Sequence, residues 1–176
     1  MSRVMAQLRK STGYTLKLTK KMFNGFEFVQ IGKSTFFDNP SRRKTKLPWY
    51  LGLELNHSDF AQAGKSAYIV TNQDDILYVG MYSGTFKERW LAGGNYIWHS
   101  DNVADNINNL LKAGESCTIW LSVNPFTTVN GLNINISTDI ESHLINEYKP
   151  KWNTVGVKNS NTNHLLVDQI ILSCSQ

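Results

Sequence analysis

Side chains able to do chemistry are thinly spread along this sequence, and most familiar arrangements of them are missing. The four histidines, His57, His99, His143 and His164, show neither an HExxH pattern nor another metal-binding spacing. Cys117 and Cys174 have no CxxC neighbour, which excludes a zinc site built on thiolates. There is no GxSxG nucleophile elbow and no phosphate-cradling glycine loop, and Gly93-Gly94 reads as a turn. Nor do the carboxylates form the paired acidic cluster that a two-metal nuclease needs. What remains is Tyr68, Tyr78, Arg89, Glu141 and Asn153. Taken singly, each has a plain reading. The tyrosines suit half-buried strand positions, Arg89 a solvated helix face, Glu141 a capping box and Asn153 a turn. Their order and spacing set them apart. Tyr78 follows Tyr68 by ten residues, Arg89 follows Tyr78 by eleven, and Glu141 comes shortly before Lys149-Pro150-Lys151-Trp152-Asn153.

The elements that must position them are legible in the pattern. Ala67-Tyr68-Ile69-Val70 and Ile76-Leu77-Tyr78-Val79-Gly80 are β-rich runs joined by a polar turn, which predicts a hairpin carrying both tyrosines. Thr85-Phe86-Lys87-Glu88 is a capping-box pattern that starts a helix bearing Arg89. Asp101 can cap a second helix, with Val103, Ile107, Leu110 and Leu111 on one face and Gly114 at its end. Residues 117–123 read as a strand closed by Asn124-Pro125, and Leu132, Ile134 and Ile136 alternate with asparagines as a weaker one. Thr138-Asp139-Ile140-Glu141 repeats the capping-box pattern ahead of an apolar stripe of Ile140, Leu144, Ile145 and Tyr148, stopped by Pro150. Residues 165–172 form a closing β-rich run. This order predicts an α+β fold, a small mixed β-sheet flanked by helices, rather than a doubly wound parallel one.

At 176 residues, 41% apolar and 18% charged, the chain fits one ordinary soluble domain. No apolar stretch approaches 18 residues, so a membrane span is not expected. Residues 1–10 carry Arg3, Arg9 and Lys10 without an apolar run behind them, unlike a secretory signal. With two cysteines only, a reduced cytoplasmic protein is expected. The formal charge of +4 conceals a segregation. Residues 1–50 hold eleven basic and two acidic residues, a net of +9, and residues 51–176 hold seven and twelve, a net of −5. Such asymmetry belongs either to an acidic domain with a solvated basic arm or to a protein that grips a polyanion at one end. The basic half is patterned. Tyr14, Leu16 and Leu18 alternate with polar residues, Asn24-Gly25 is a strong hairpin turn, and Phe26, Phe28 and Ile31 suit a return strand. This predicts a hairpin arm presenting Lys17, Lys20, Lys21 and Lys33, followed by a loop with Arg42, Arg43, Lys44 and Lys46. Together with Lys87, these are either a solvated charge run or a set of phosphate contacts.

The two strand motifs, Ala67-Tyr68-Ile69 and Tyr78-Val79-Gly80, with Arg89, the helix-borne Glu141 and the Pro-x-Trp-Asn ending at Asn153, resemble the GIY-YIG nuclease family over about residues 66–155. The sequence departs from that pattern in three places. Ala67 replaces the first glycine, Met81 stands where a basic residue is often found, and Gly93 where some members have histidine. The resemblance implies a catalytic core over 66–155, a basic DNA-binding arm over 1–65 and a β-rich extension over 156–176 packed on the core. It implies hydrolysis of phosphodiesters with one divalent metal, Mg²⁺ or Mn²⁺, held by Glu141 and the substrate phosphate. A lone carboxylate suits Mg²⁺, which keeps waters and borrows phosphate oxygens. Tyr68 would take the proton of the attacking water, helped by nearby positive charge, because an ordinary tyrosine ionises only near pH 10. Tyr78 would orient that water, Arg89 would face the phosphate as charge builds, and Asn153 would hold local backbone. The compact basic arm, joined without a zinc finger or long linker, resembles the small restriction endonucleases of the family, which implies a bacterial or phage-infected cell. Double-stranded DNA is then the partner, cut at a specific site by a twofold homodimer. Two alternatives stay open: another DNA nuclease of the family from a phage or mobile element, and a non-catalytic DNA-binding module.

Overall fold

Runs of β-branched and aromatic residues separated by tight turns place six strands in one sheet in the computed structural model, which describes residues 18–38, 49–91 and 102–153. In chain order the elements are β1 (Lys20–Phe23), β2 (Phe26–Asp38), β3 (Trp49–Leu55), a 3₁₀ turn (Ser58–Gln62), β4 (Ser66–Asn72), β5 (Asp75–Tyr82), α1 (Phe86–Trp90), α2 (Asn102–Lys112), β6 (Thr118–Ser122), β7 (Phe126–Val129), β8 (Leu132–Asn135) and α3 (Ser137–Tyr148). The sheet runs β1-β2-β6-β4-β5, and β3 also pairs with β2. The strand β2 is 13 residues long, so β1 and β3 share one side of it in succession while β6 takes the other.

The α+β class is as expected from the sequence. The mixed sheet is not: every described pairing is antiparallel. The reason is placement. The crossover through α1 and α2 delivers β6 beside β4 rather than beside β5, so two strands of like direction are kept apart by one of opposite direction.

The N-terminal hairpin also differs from its expectation. Its turn is where the sequence puts it, with Asn24 at φ 43° and Gly25 at φ 87°, the positive values a two-residue hairpin requires. Yet the hairpin is not an arm. Its return strand lies inside the sheet, Phe28 and Ile31 are fully buried, and Ile31, Leu51 and Leu53 share a core with Tyr68 and Val70. Residue 65 therefore marks no break between a basic segment and a core. The first described strand is Lys20–Phe23, and the strand expected around Tyr14 and Leu16 lies outside the described residues. Lys17, the loop carrying Arg42, Arg43, Lys44 and Lys46, Asp101 and the extension over 156–176 lie outside the described residues.

The sheet buries both faces. On one, Val29, Ile31, Tyr68, Val70 and Ile119 meet Phe86 and Trp90 of α1 and Val103 and Ile107 of α2, the apolar stripe the sequence predicts. On the other, Phe23, Phe28, Ile69, Val79 and Trp120 meet Ile140, Leu144 and Ile145 of α3. With Leu144 wholly enclosed, truncation to alanine there costs about 2–5 kcal/mol. The start of α3 corrects a prediction. The capping box of Thr138 and Glu141 does not form, because the helix begins at Ser137, whose N–H is taken by the Asn135 side chain at 3.0 Å. The helix ends at Lys149, in the left-handed conformation at φ 46°, directly before Pro150. No helix among the described residues is long and apolar enough to cross a membrane.

Candidate active site

The register of the β4–β5 hairpin decides which side chains meet. Tyr68 lies directly opposite Gly80, and Tyr78, two residues before Gly80, points to the same face. The Tyr68 ring lies across the bare backbone of Gly80. A Cβ there would stand 2.6 Å from Tyr68 Cζ and Oη and 2.7 Å from Tyr78 Cε1, so any larger residue would push the two phenols aside. The rings of Tyr68 and Tyr78 lie 5.9 Å apart. Trp90 meets Tyr68 edge-on at 5.1 Å and Tyr82 lies beside it at 6.3 Å, which leaves Tyr68 only 1% exposed.

The helix α1 brings Arg89 to this cluster. Its capping box forms as predicted: the Glu88 N–H donates to Thr85 Oγ1 at 3.3 Å, and the Glu88 carboxylate accepts from the Thr85 N–H at 2.7 Å. Phe86 and Trp90, four residues apart and stacked, anchor the helix to the sheet. From this position Arg89 Nη2 donates to Tyr68 Oη at 3.5 Å, the outer limit of a hydrogen bond, and its guanidinium lies 5.9 Å from the Trp90 ring. Arg89, Glu88, Gly84 and Met81 line an open cleft where β5 ends. Burial drives the Tyr68 phenol well above its ordinary ionisation range, the neighbouring Tyr78 adds to this, and the Arg89 cation opposes both without prevailing. Burial thus works against Tyr68 as a proton acceptor, while Tyr78 is half-buried.

Glu141 and Asn153 form a second group, along the outer edge of β5. Asn153 is buried and acts as a substitute strand: its Oδ1 accepts from the Val79 N–H at 2.9 Å and its Nδ2 donates to the Val79 carbonyl at 2.7 Å. Next to it the Trp152 N–H donates to the Leu77 carbonyl at 3.0 Å. Farther along, the Met81 N–H donates to the Glu141 carboxylate. Glu141 comes to that edge from α3, on the sheet face opposite Tyr68. It is half-buried, and desolvation raises its pKa despite the Met81 bond. A carboxylate whose charged form desolvation disfavours is one that a cation would relieve. Among the described residues no group of three or more His, Cys, Asp or Glu gathers.

Of the expected contacts among the described residues, Lys20 and Lys21 are each ion-paired. Lys20 pairs with Glu27 at 3.0 Å, and Lys21 pairs with Asp74 at 2.9 Å while its ammonium sits 5.4 Å from the Phe23 ring. Lys33 on β2 and Lys87 on α1 are exposed. Sequence reasoning missed Tyr82 and Trp90, the aromatics that enclose Tyr68. The spacing of Phe86 and Trp90 by four on a capped helix was the signal for the second. No protein-family model, curated protein or solved structure matches the chain.

Proposed function

We propose that the chain is a metal-dependent endonuclease of double-stranded DNA, of the GIY-YIG type and closest in kind to the small restriction enzymes. The observation that carries this reading is the meeting of Tyr68, Tyr78 and Arg89 over Gly80, beside an open cleft. Two phenols and a guanidinium on one rigid hairpin and a capped helix suit a phosphodiester. Arg89 donates its fork of N–H groups to the phosphate as negative charge builds. Tyr78, the more exposed phenol, faces the attacking water, and Tyr68, which holds its proton, orients Arg89 and the phosphate oxygens. Asn153 fixes the β5 backbone at Val79, between Tyr78 and the Gly80 that lies beneath Tyr68. Glu141 would hold a divalent cation, which when bound supplies positive charge to the phosphate and lowers the pKa of its waters. Lys33 and Lys87, with the basic residues of the first 50, supply phosphate contacts.

A second reading has its own support. Both Glu141 and Asn153 satisfy edge backbone of β5, a structural duty that a non-catalytic DNA-binding module would need equally. Incubation with phage DNA and Mg²⁺, with and without EDTA, separates the two. Discrete fragments that disappear with EDTA support the endonuclease. Gel retardation without cleavage supports the binding module and ends the first reading. Glu141→Gln sharpens the result, because glutamine still accepts from the Met81 N–H but binds Mg²⁺ poorly. Full cleavage by that variant would remove Glu141 as a metal ligand.

A further inference from the structure

Residues of β2, the 3₁₀ turn and the corner between β6 and β7 line a cavity of about 280 Å³, apart from the cleft that holds Arg89. Its walls are hydrocarbon, from Leu18, Val29, Phe60, Leu121, Val123 and Pro125. Its polar side chains divide by depth. Ser66 and Ser122 are buried, and their hydroxyls bond to each other at 2.7 Å. Ser66 Oγ also donates to the Ser122 carbonyl at 3.3 Å, and the Ala67 N–H donates to Ser122 Oγ at 3.2 Å. Both hydroxyls are thus satisfied within the protein, and the floor of the cavity demands nothing polar of an occupant. Lys20 and Lys65, the charged side chains of the lining, lie nearer to solvent. Lys20 is already paired with Glu27 at 3.0 Å, so among the described residues the charge left for an occupant is that of Lys65.

We propose that this cavity binds a medium-chain carboxylate, with its hydrocarbon inward and its carboxylate on the Lys65 ammonium. Three features select that ligand. Hydrocarbon walls over satisfied serines give water few partners and favour an apolar body. One remaining cation suits a singly charged head, whereas a phosphate monoester carries about −1.5 to −2 at neutral pH. At the packing density of a protein interior the volume holds a chain of about eight to ten carbons. The cavity also borders the elements that carry the candidate site. The Phe86 N–H, at the start of α1, donates to the Ala63 carbonyl of the cavity wall at 2.9 Å, and Leu121 is the cross-strand partner of Tyr68. An occupant therefore rests against the turn and the strand that hold Arg89 and Tyr68 in place. Its binding does not depend on the endonuclease reading.

Isothermal titration of the full chain with decanoate tests this. One decanoate per chain is expected to bind with a dissociation constant of about 10–100 µM. Nonanoate and octanoate should follow, each weaker by about fourfold per CH₂ removed. Decylamine, with the same chain and the opposite charge, should bind about tenfold more weakly than decanoate. Lys65→Gln should weaken decanoate about fivefold and leave the binding of 1-decanol unchanged. Val123→Trp and Ala63→Phe, at half-buried wall positions, fill the space and should abolish binding while circular dichroism stays native. The chain-length and head-charge series need the wild type alone. No saturable binding of decanoate below about 1 mM overturns the proposal, as does binding that survives both filling variants. Equal binding of decanoate and decylamine also overturns it, because the cavity would then accept any apolar chain.

Discussion

The β4–β5 and β7–β8 hairpins are built alike and solvated in opposite ways. Both are antiparallel pairs joined by a short turn. The first buries polar groups, namely the Tyr68 phenol and the Asn153 amide, among apolar neighbours. The second leaves apolar groups, Val129, Leu132 and Ile134, in water. Each inverts the usual partition in its own direction. A buried polar group must be satisfied, and here Arg89 serves Tyr68 while Val79 serves Asn153. An exposed apolar face has no such internal remedy. The difference separates polar groups whose partners lie inside the molecule from apolar side chains left facing solvent.

That contrast can be broken by substitution, and the largest effect should fall on the first hairpin. Arg89→Ala is expected to slow DNA cleavage by about 10²–10³ under single-turnover conditions, the usual loss when a charge-stabilising donor is removed. A change below about threefold would end its role at the phosphate. Gly80→Val should destabilise the fold by about 3 kcal/mol in urea denaturation, because the new side chain collides with the Tyr68 and Tyr78 rings. Asn153→Ala should cost about 2 kcal/mol by the same measurement, since the Val79 N–H and carbonyl both lose their partner. Thr85→Ala removes an N-cap and should cost about 1 kcal/mol. By contrast Leu132→Ala, on the second hairpin, should change the stability of the monomer by about 0.5 kcal/mol or less.

The smallest effect is in the pH dependence. The native Tyr68 keeps its proton where an unfolded tyrosine ionises near pH 10, so its contribution is intact below that pH and is lost as pH rises beyond it. Tyr68→Phe should flatten the alkaline limb of a stability profile. Glu141, whose pKa is also raised, gives the same sign at lower pH: stability is highest with the carboxyl protonated and declines as it ionises. Glu141→Gln should therefore be at least as stable as the wild type at neutral pH. An unchanged profile in either variant would remove the desolvation behind these shifts.

Local elements were legible wherever a residue acts on its own neighbourhood. The Asn24-Gly25 turn, the Thr85–Glu88 capping box and the buried stripe of Val103 and Ile107 all appear where the sequence puts them, because each depends on bonds within four residues or on a 3.6-residue period. The same local logic failed at Thr138–Glu141. There Asn135, just outside the pattern, captured the first helical N–H and freed Glu141 to reach Met81.

By itself the sequence determined the α+β class, the two tyrosine-bearing strands and the helix that carries Arg89. These follow from side-chain periodicity and capping chemistry, which are properties of short segments. Only the tertiary structure decided that the basic N-terminal hairpin is a sheet strand rather than an arm, that β6 inserts between β2 and β4, and that Gly80 is the floor beneath Tyr68. It also decided that Glu141 and Asn153 close the edge of β5. Strand order and cross-strand register join residues far apart in the chain, and the free energy that selects them comes from packing two sheet faces at once. No window of sequence contains that competition.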